Sequence, residues 1–174
     1  DKGLKGKVFV TSGLGGMSGA QPKATVIAGG ICVVAEVNPK AIETRRTQCW
    51  VDEVYTDLGA LADRMQKARH GKEAVSLAFH GNVVDLLEYF VMQHIDIELG
   101  SDQTSLHNPF AGGYYQVGLT FDEANRMMVE NPDRFKELVH ASLRRHVDAV
   151  NALAERGMFF WDYGNAFLLE SGRA

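Results

Sequence analysis

Apolar and polar positions along the chain switch repeatedly between a strand-like and a helix-like period. Lys7-Val8-Phe9-Val10-Thr11-Ser12 is rich in β-branched and aromatic residues and reads as a first strand. It runs directly into Gly13-Leu14-Gly15-Gly16-Met17-Ser18-Gly19. Ala20 to Ala28 reads as a helix, with Pro22 tolerated in its first turn and Gly29-Gly30 as its stop. Ile31 to Val37 is a nearly continuous apolar run broken only by Glu36, which is how a strand buried on both faces reads. Asn38 then caps a helix with Pro39 at its first position, and Glu43 to Arg46 extend it. Val51–Tyr55 predicts a short strand. Leu58, Leu61, Ala62, Met65 and Ala68 recur at helical spacing until Gly71.

The alternation continues to the end. Ala74–His80 predicts a fourth strand, and Val83, Leu86, Leu87, Phe90 and Val91 mark the helix after it. Ile95–Leu99 predicts a fifth strand, followed by a polar, glycine-containing loop over Gly100–Gly118. Phe121–Arg156 reads as helix interrupted around Pro132, with Asn131 or Asp133 capping the second part and Gly157 closing it. Met158–Tyr163 predicts a sixth strand, and Gly164-Asn165 turns into a last partial helix. Strands alternating with helices predict an α/β fold: a Rossmann-like, doubly wound, mostly parallel sheet with helices on both faces. There is no internal repeat, low-complexity stretch or linker, so residues 1–174 are expected to form one domain.

Composition narrows the class. With 45% hydrophobic and 23% charged residues, the chain is neither disordered nor membrane-like in make-up. No apolar run approaches the ~18 residues that a spanning helix needs. The net charge of −4 and the scattered Lys and Arg argue against a nucleic-acid surface. Cys32 and Cys49 form no CxxC and no metal spacing; Cys32 sits in a strand-like run and is expected to pack in the core. His80 and His107 lack the paired spacing of a metal site, and no metal is expected. The chain opens on Asp1-Lys2-Gly3, with no signal-peptide pattern, and closes just after an apolar run. It is therefore expected to be a piece of a longer protein.

Candidate chemistry gathers where the strands end. A strand, a glycine turn and a helix are what a dinucleotide site needs: Gly13 for the tight turn, Gly15 for close approach of the backbone to a pyrophosphate, and the helix N-terminus for its free N–H groups. Gly13-x-Gly15-x-x-Ser18 carries serine at the third glycine position, and a tight turn with no ligand would read similarly. Glu36 adds weight. It ends the second strand about 20 residues after the loop, the distance at which an acid accepts from the adenosine ribose hydroxyls and repels a 2′-phosphate. Three further segments follow strands on the same edge: His80-Gly81-Asn82, Asp102 to Asn108, and Tyr163-Gly164-Asn165. Each could meet a nicotinamide or its ribose, although an Asn after a strand is also an ordinary helix cap.

These same residues carry a family resemblance. Thr11 to Ala24 resembles the glycine-rich loop of the urocanases, as do Phe79-His80-Gly81-Asn82, Asp102 to Pro109, Gly112-Gly113-Tyr114-Tyr115 and Asp162-Tyr163-Gly164-Asn165. The likeness runs over essentially the whole chain. It implies NAD⁺ as a tightly held electrophile in the hydration of urocanate to imidazolonepropionate, a step of histidine degradation without net redox change. It also implies a cytoplasmic enzyme, a homodimer at full length, with urocanate as its other ligand. Matched by motif, the NAD contacts are Gly16, Met17 and Ser18; Glu36; Asn82 and Val83; Gln103, Thr104, Ser105, Leu106 and His107; Tyr114 and Tyr115; and Tyr163.

Two departures stand out. The family often has glycine at Ser18, and some members carry an arginine where this chain has Ala41, with Lys40 and Arg45 nearby. The family enzyme is much longer, and its catalytic cysteine matches neither Cys32 nor Cys49, so this stretch alone is expected to hold NAD⁺ without turnover. On the fold pattern alone, a domain of an NAD-dependent dehydrogenase or a non-catalytic NAD-sensing module are the alternatives.

Overall fold

The structure, a computed structural model, describes residues 3–174. In chain order the elements are β1 (Val8–Ser12), α1 (Ala20–Ile27), β2 (Ile31–Glu36), α2 (Pro39–Thr47), β3 (Glu53–Tyr55), α3 (Leu58–Gly71), β4 (Val75–His80) and α4 (Val83–Met92). Then follow β5 (Leu99–Asp102), a single wide turn at Pro109–Gly113, α5 (Phe121–Glu130), α6 (Pro132–Glu155), β6 (Phe159–Asp162) and α7 (Phe167–Arg173).

The strands form one sheet in the order β3-β4-β2-β1-β5-β6, and every pairing is parallel. This is the expected Rossmann-like, doubly wound α/β architecture, with the sheet wholly parallel among the described residues. β1, β2 and β4 are apolar on both sides because both faces are covered. On one face, Val8, Val10, Ile31, Val33, Leu77 and Phe79 pack against α3, α4, α6 and α7. On the other, Phe9, Cys32, Val34 and Ala78 pack with Ile42 of α2, and buried Thr25 of α1 lies beside Cys32. The β6 end of this second face is open. Trp161 stacks on Phe9 with ring centroids 5.2 Å apart, while Phe159 and Tyr163 stay mostly exposed.

Side-chain caps start the helices where polar residues precede apolar runs. Asn38, Asp57, Asn82 and Asn131 each accept a backbone N–H of the following turn, and Thr120 with Glu123 forms a full capping box. No helix among the described residues is long and apolar enough to cross a membrane.

The fifth strand lies further along the chain than its apolar pattern suggests. Ile95 instead closes α4, its N–H bonding Phe90 O at 2.9 Å, and Ile97 turns into the core. The strand is Leu99-Gly100-Ser101-Asp102, buried from Gly100 onward. Gly100 leaves room there for Met158 of the neighbouring β6 end, whose Sδ would stand 2.7 Å from a Cβ and would have to shift to admit one. Ser101 and Asp102 satisfy their polar atoms against Thr11 and Ser12 of β1. The first residues of the expected polar loop are thus a buried polar strand.

β1 hands the chain to β2 on one side, and β5 stands on its other side. That reversal opens a crevice at the carboxyl ends of β1 and β5, where ligands bind in open parallel sheets.

Candidate functional site

The crevice is a cleft of about 240 Å³. Its lining brings together the ends of four strands: Ser12, Gly13, Gly15 and Ser18 after β1, Glu36 to Asn38 at β2, Gly81 to Val83 after β4, and Gln103 to Ser105 after β5. Gly112 to Tyr115 and Phe121 close it from above.

The glycine turn is held from three directions. Gly13 has φ +88°, a conformation that suits glycine, and a Cβ there would lie 3.1 Å from Ser18 Oγ and 3.3 Å from Gln103 O. Around Gly15 a Cβ would meet only Ser18 Oγ, at 3.6 Å, so the backbone stands open toward the cleft. Leu14 N–H donates to Glu36 Oε2 at 2.7 Å, and Gly19 N–H donates to Gly15 O at 3.0 Å. From α2, Arg45 Nε donates to Leu14 O at 3.0 Å and its terminal nitrogen donates to Gly15 O, while the guanidinium lies over Trp50. The cation that meets this loop is therefore Arg45, one helical turn beyond Ala41. Ala41 itself lines the cleft.

Glu36 is the acid of the site. Its second oxygen accepts Asn38 N–H at 2.8 Å. Burial pushes its carboxyl above the ordinary glutamate range, and the backbone donors at Asn38, Leu14 and Val37 and the charge of His80 pull against that. A carboxylate held between two backbone N–H groups keeps lone pairs free for ligand hydroxyls.

Asn82 has both its side-chain ends engaged. Oδ1 caps α4 through Val84 N–H at 2.9 Å, and Nδ2 donates to Tyr115 O at 2.8 Å. The helix-cap reading of this residue is thus realised, and the cap also fixes the Tyr115 strap over the cleft. Tyr115 Oη in turn donates to Asn125 Oδ1 at 2.9 Å.

Of the residues expected in the site, Gly13, Gly15, Ser18, Glu36, Asn82, Val83, Gln103, Thr104, Ser105, Tyr114 and Tyr115 line the cleft. Five do not. Gly16 and Met17 lie exposed on the glycine turn, Met17 at 89%. Leu106 is buried in the main core, and His107 is exposed on the following turn. Tyr163 lies on the open β6 end of the sheet, beside Phe9 and Trp161. Tyr114 presents little surface: it is 1% exposed and its Oη pairs with His146 Nδ1 at 3.2 Å. Burial, helped by nearby Asp102, pushes its phenol well above the ordinary value.

Sequence reasoning missed Arg45 as the loop clamp and Asn165 as a tie. Asn165 Nδ2 donates to Asp102 Oδ1 at 2.8 Å and to Thr104 O at 2.7 Å. No group of three His, Cys, Asp or Glu gathers at metal distance among the described residues.

Residues 1–174 match the family model described as the Urocanase Rossmann-like domain. The chain belongs to the urocanase family. A probable urocanate hydratase of Dictyostelium discoideum is 59% identical over 172 residues, covering 98% of this chain and 25% of that protein. Urocanate hydratases of Homo sapiens and Mus musculus are 58% and 57% identical, each covering 98% of this chain and 26% of theirs. The chain therefore spans about a quarter of the length of the curated urocanases it matches.

Neither cysteine sits in the cleft. Cys32 is fully buried, and burial pushes its thiol up to about 12, far from a working nucleophile. Cys49 is exposed, beyond the end of α2.

Proposed function

We propose that this chain holds NAD⁺ for an enzyme that adds water to urocanate. The observation that carries the reading is the meeting, in one cleft at the switch point of the sheet, of an open glycine turn, an acid at the end of β2 and a polar segment after β5. The donor set fits a dinucleotide. Glu36 suits the adenosine ribose, the turn at Gly13–Gly19 and the start of α1 suit the pyrophosphate, and Gln103 to Ser105 offer an amide and hydroxyls to the remaining half. The acid at Glu36 favours NAD⁺ over a 2′-phosphorylated cofactor.

When bound, NAD⁺ would supply an electron-accepting ring, used without net redox change. This chain's residues bind and orient it. Arg45 and Glu36 keep the turn in shape from opposite ends, and the Tyr115 strap, tied to Asn82 and Asn125, forms one wall of the cleft. Catalysis also needs groups placed within hydrogen-bond reach of the substrate. With Cys32 buried and Cys49 outside the cleft, we assign those groups, the catalytic cysteine that the resemblance implies included, to the rest of the full-length protein. The full-length enzyme is proposed to act in the cytoplasm as a homodimer.

Two measurements test this. Calorimetry on the 174-residue chain should give a saturable NAD⁺ site with weaker NADP⁺ binding. The full-length protein should consume urocanate, read by loss of its absorbance, with NAD⁺ recovered unchanged and no build-up of reduced nicotinamide, while the 174-residue chain should not. Stoichiometric NADH formation with urocanate would replace this reading with a dehydrogenase.

A further inference from the structure

Asp102 is the last residue of β5 and is fully buried, yet its carboxylate is bonded to three different parts of the chain. Ser12 Oγ, at the end of β1, donates to Oδ2. Thr104 donates to Oδ1 twice, from its N–H at 3.0 Å and its hydroxyl at 2.6 Å. Asn165, in the turn after β6, donates to the same oxygen at 2.8 Å and to the Asp102 carbonyl at 3.1 Å. All these donors are neutral. One carboxylate therefore ties together the carboxyl ends of β1, β5 and β6.

Asp102 does not line the cleft, but Ser12 and Thr104 on either side of it do, together with Gln103 and Ser105. A buried carboxylate is costly unless its lone pairs are filled by well-placed donors. Here the donors that fill them are the ones that shape the cleft wall. Asparagine is nearly the same size and can keep Oδ1 for the Thr104 and Asn165 donors, but its NH₂ forces Ser12 Oγ from donor to acceptor, and the charge that strengthens every one of these bonds is lost.

The placement also says which half of a ligand this wall serves. If Glu36 takes the adenosine ribose at the end of β2 and the glycine turn takes the pyrophosphate at β1, the remaining half must extend over β5. That is the wall Asp102 holds. We propose that Asp102 is a positioning residue for the nicotinamide-ribose half of the dinucleotide and acts on that half alone. The inference rests on the dinucleotide reading given above.

The test compares two ligands that share the adenosine half. NAD⁺ and ADP are titrated calorimetrically into the unaltered chain and into Asp102→Asn and Asn165→Ala, with circular dichroism and thermal melting to check the fold. Asp102→Asn should weaken NAD⁺ at least tenfold and change ADP less than twofold. Asn165→Ala removes one of the donors and should show the same split with a smaller NAD⁺ loss; it carries the test if Asp102→Asn does not fold. Equal losses for both ligands would mean a general packing role and overturn the proposal. Unchanged NAD⁺ affinity in a folded Asp102→Asn chain would overturn it too. An unaltered chain that binds neither ligand overturns the dinucleotide reading itself, and this inference with it.

Discussion

Replacing Glu36 with glutamine keeps the outline of the side chain and removes its charge. In the folded chain its two oxygens accept Leu14 N–H at 2.7 Å and Asn38 N–H at 2.8 Å. Glutamine has one acceptor, so its NH₂ must face one of those donors. A hydrogen bond to a charged group contributes ~1.5–3 kcal/mol, and an unmet buried donor costs ~1–3 kcal/mol. Against that, burial already disfavours the charge, so removing it recovers part of the loss. The net cost to the fold is therefore at the low end, about 1–2 kcal/mol, read as a lower thermal midpoint.

The ligand should lose more. Ribose hydroxyls that meet a carboxylate lose a charged acceptor worth ~1.5–3 kcal/mol, which is roughly 10- to 150-fold in Kd. Glu36→Ala should weaken NAD⁺ over a similar range and narrow the preference for NAD⁺ over NADP⁺. The pH dependence carries a sign. The folded carboxyl is raised above 4.5, so its protonated form, the poorer acceptor, is reached sooner on acidification. NAD⁺ affinity should fall as pH drops through a midpoint above 4.5, and Glu36→Gln should lack this step. The same shift gives the fold a stabilising contribution below 4.5 that is lost as pH rises through the raised value. Unchanged calorimetric affinity in a folded Glu36→Gln chain would refute the ribose role outright.

Three further outcomes are expected. Gly15→Val should abolish NAD⁺ binding while circular dichroism stays native, because a side chain there meets only Ser18 Oγ and otherwise enters the cleft; retained affinity would place the phosphates elsewhere. Gly113→Ala should lower stability by the ~1–3 kcal/mol of an overpacked site, since its Cβ would run into the backbone oxygens of Ser105 and Asn108; an unchanged melting curve would contradict the turn geometry. Thiol labelling of the folded chain at mildly alkaline pH should modify Cys49 and spare Cys32, and mass mapping of a labelled Cys32 would show that β2 is not packed as described.

The parts of the fold that were legible in the sequence are those where burial and apolarity coincide. β1, β2 and β4 are covered on both faces and read as apolar runs, and the helix caps at Asn38, Asn82 and Asn131 stand directly before their helices. β5 was not legible because its burial rests on hydrogen bonds. Ser101 and Asp102 look like loop residues until Thr11 and Ser12 are known to lie beside them. That pairing joins residues 90 apart, and no local pattern contains it. Arg45 was legible only as one of the cations near Ala41, and its grip on the loop was hidden for a related reason: its partners there are backbone carbonyls, which any sequence would supply.

The motif residues themselves divide in a way that sequence cannot reveal. Within the segment from Asp102 to Tyr115, Gln103, Thr104, Ser105 and Tyr115 face the cleft, whereas Leu106 is buried in the core and Tyr114, though it reaches the cleft wall, buries its side chain against His146. A contiguous motif thus contains residues that can meet a ligand and residues that set the path of the backbone between them. The two kinds answer to different physics. A cleft residue whose side chain makes no bond within the chain, such as Gln103 or Ser105, is replaceable where the fold is concerned, because its loss leaves solvent in its place. Leu106 and Tyr114 are not, because a smaller side chain leaves a cavity in the core and, at Tyr114, an imidazole without its hydroxyl. Burial, rather than membership of the motif, therefore separates the substitutions that should lower affinity from those that should lower stability first.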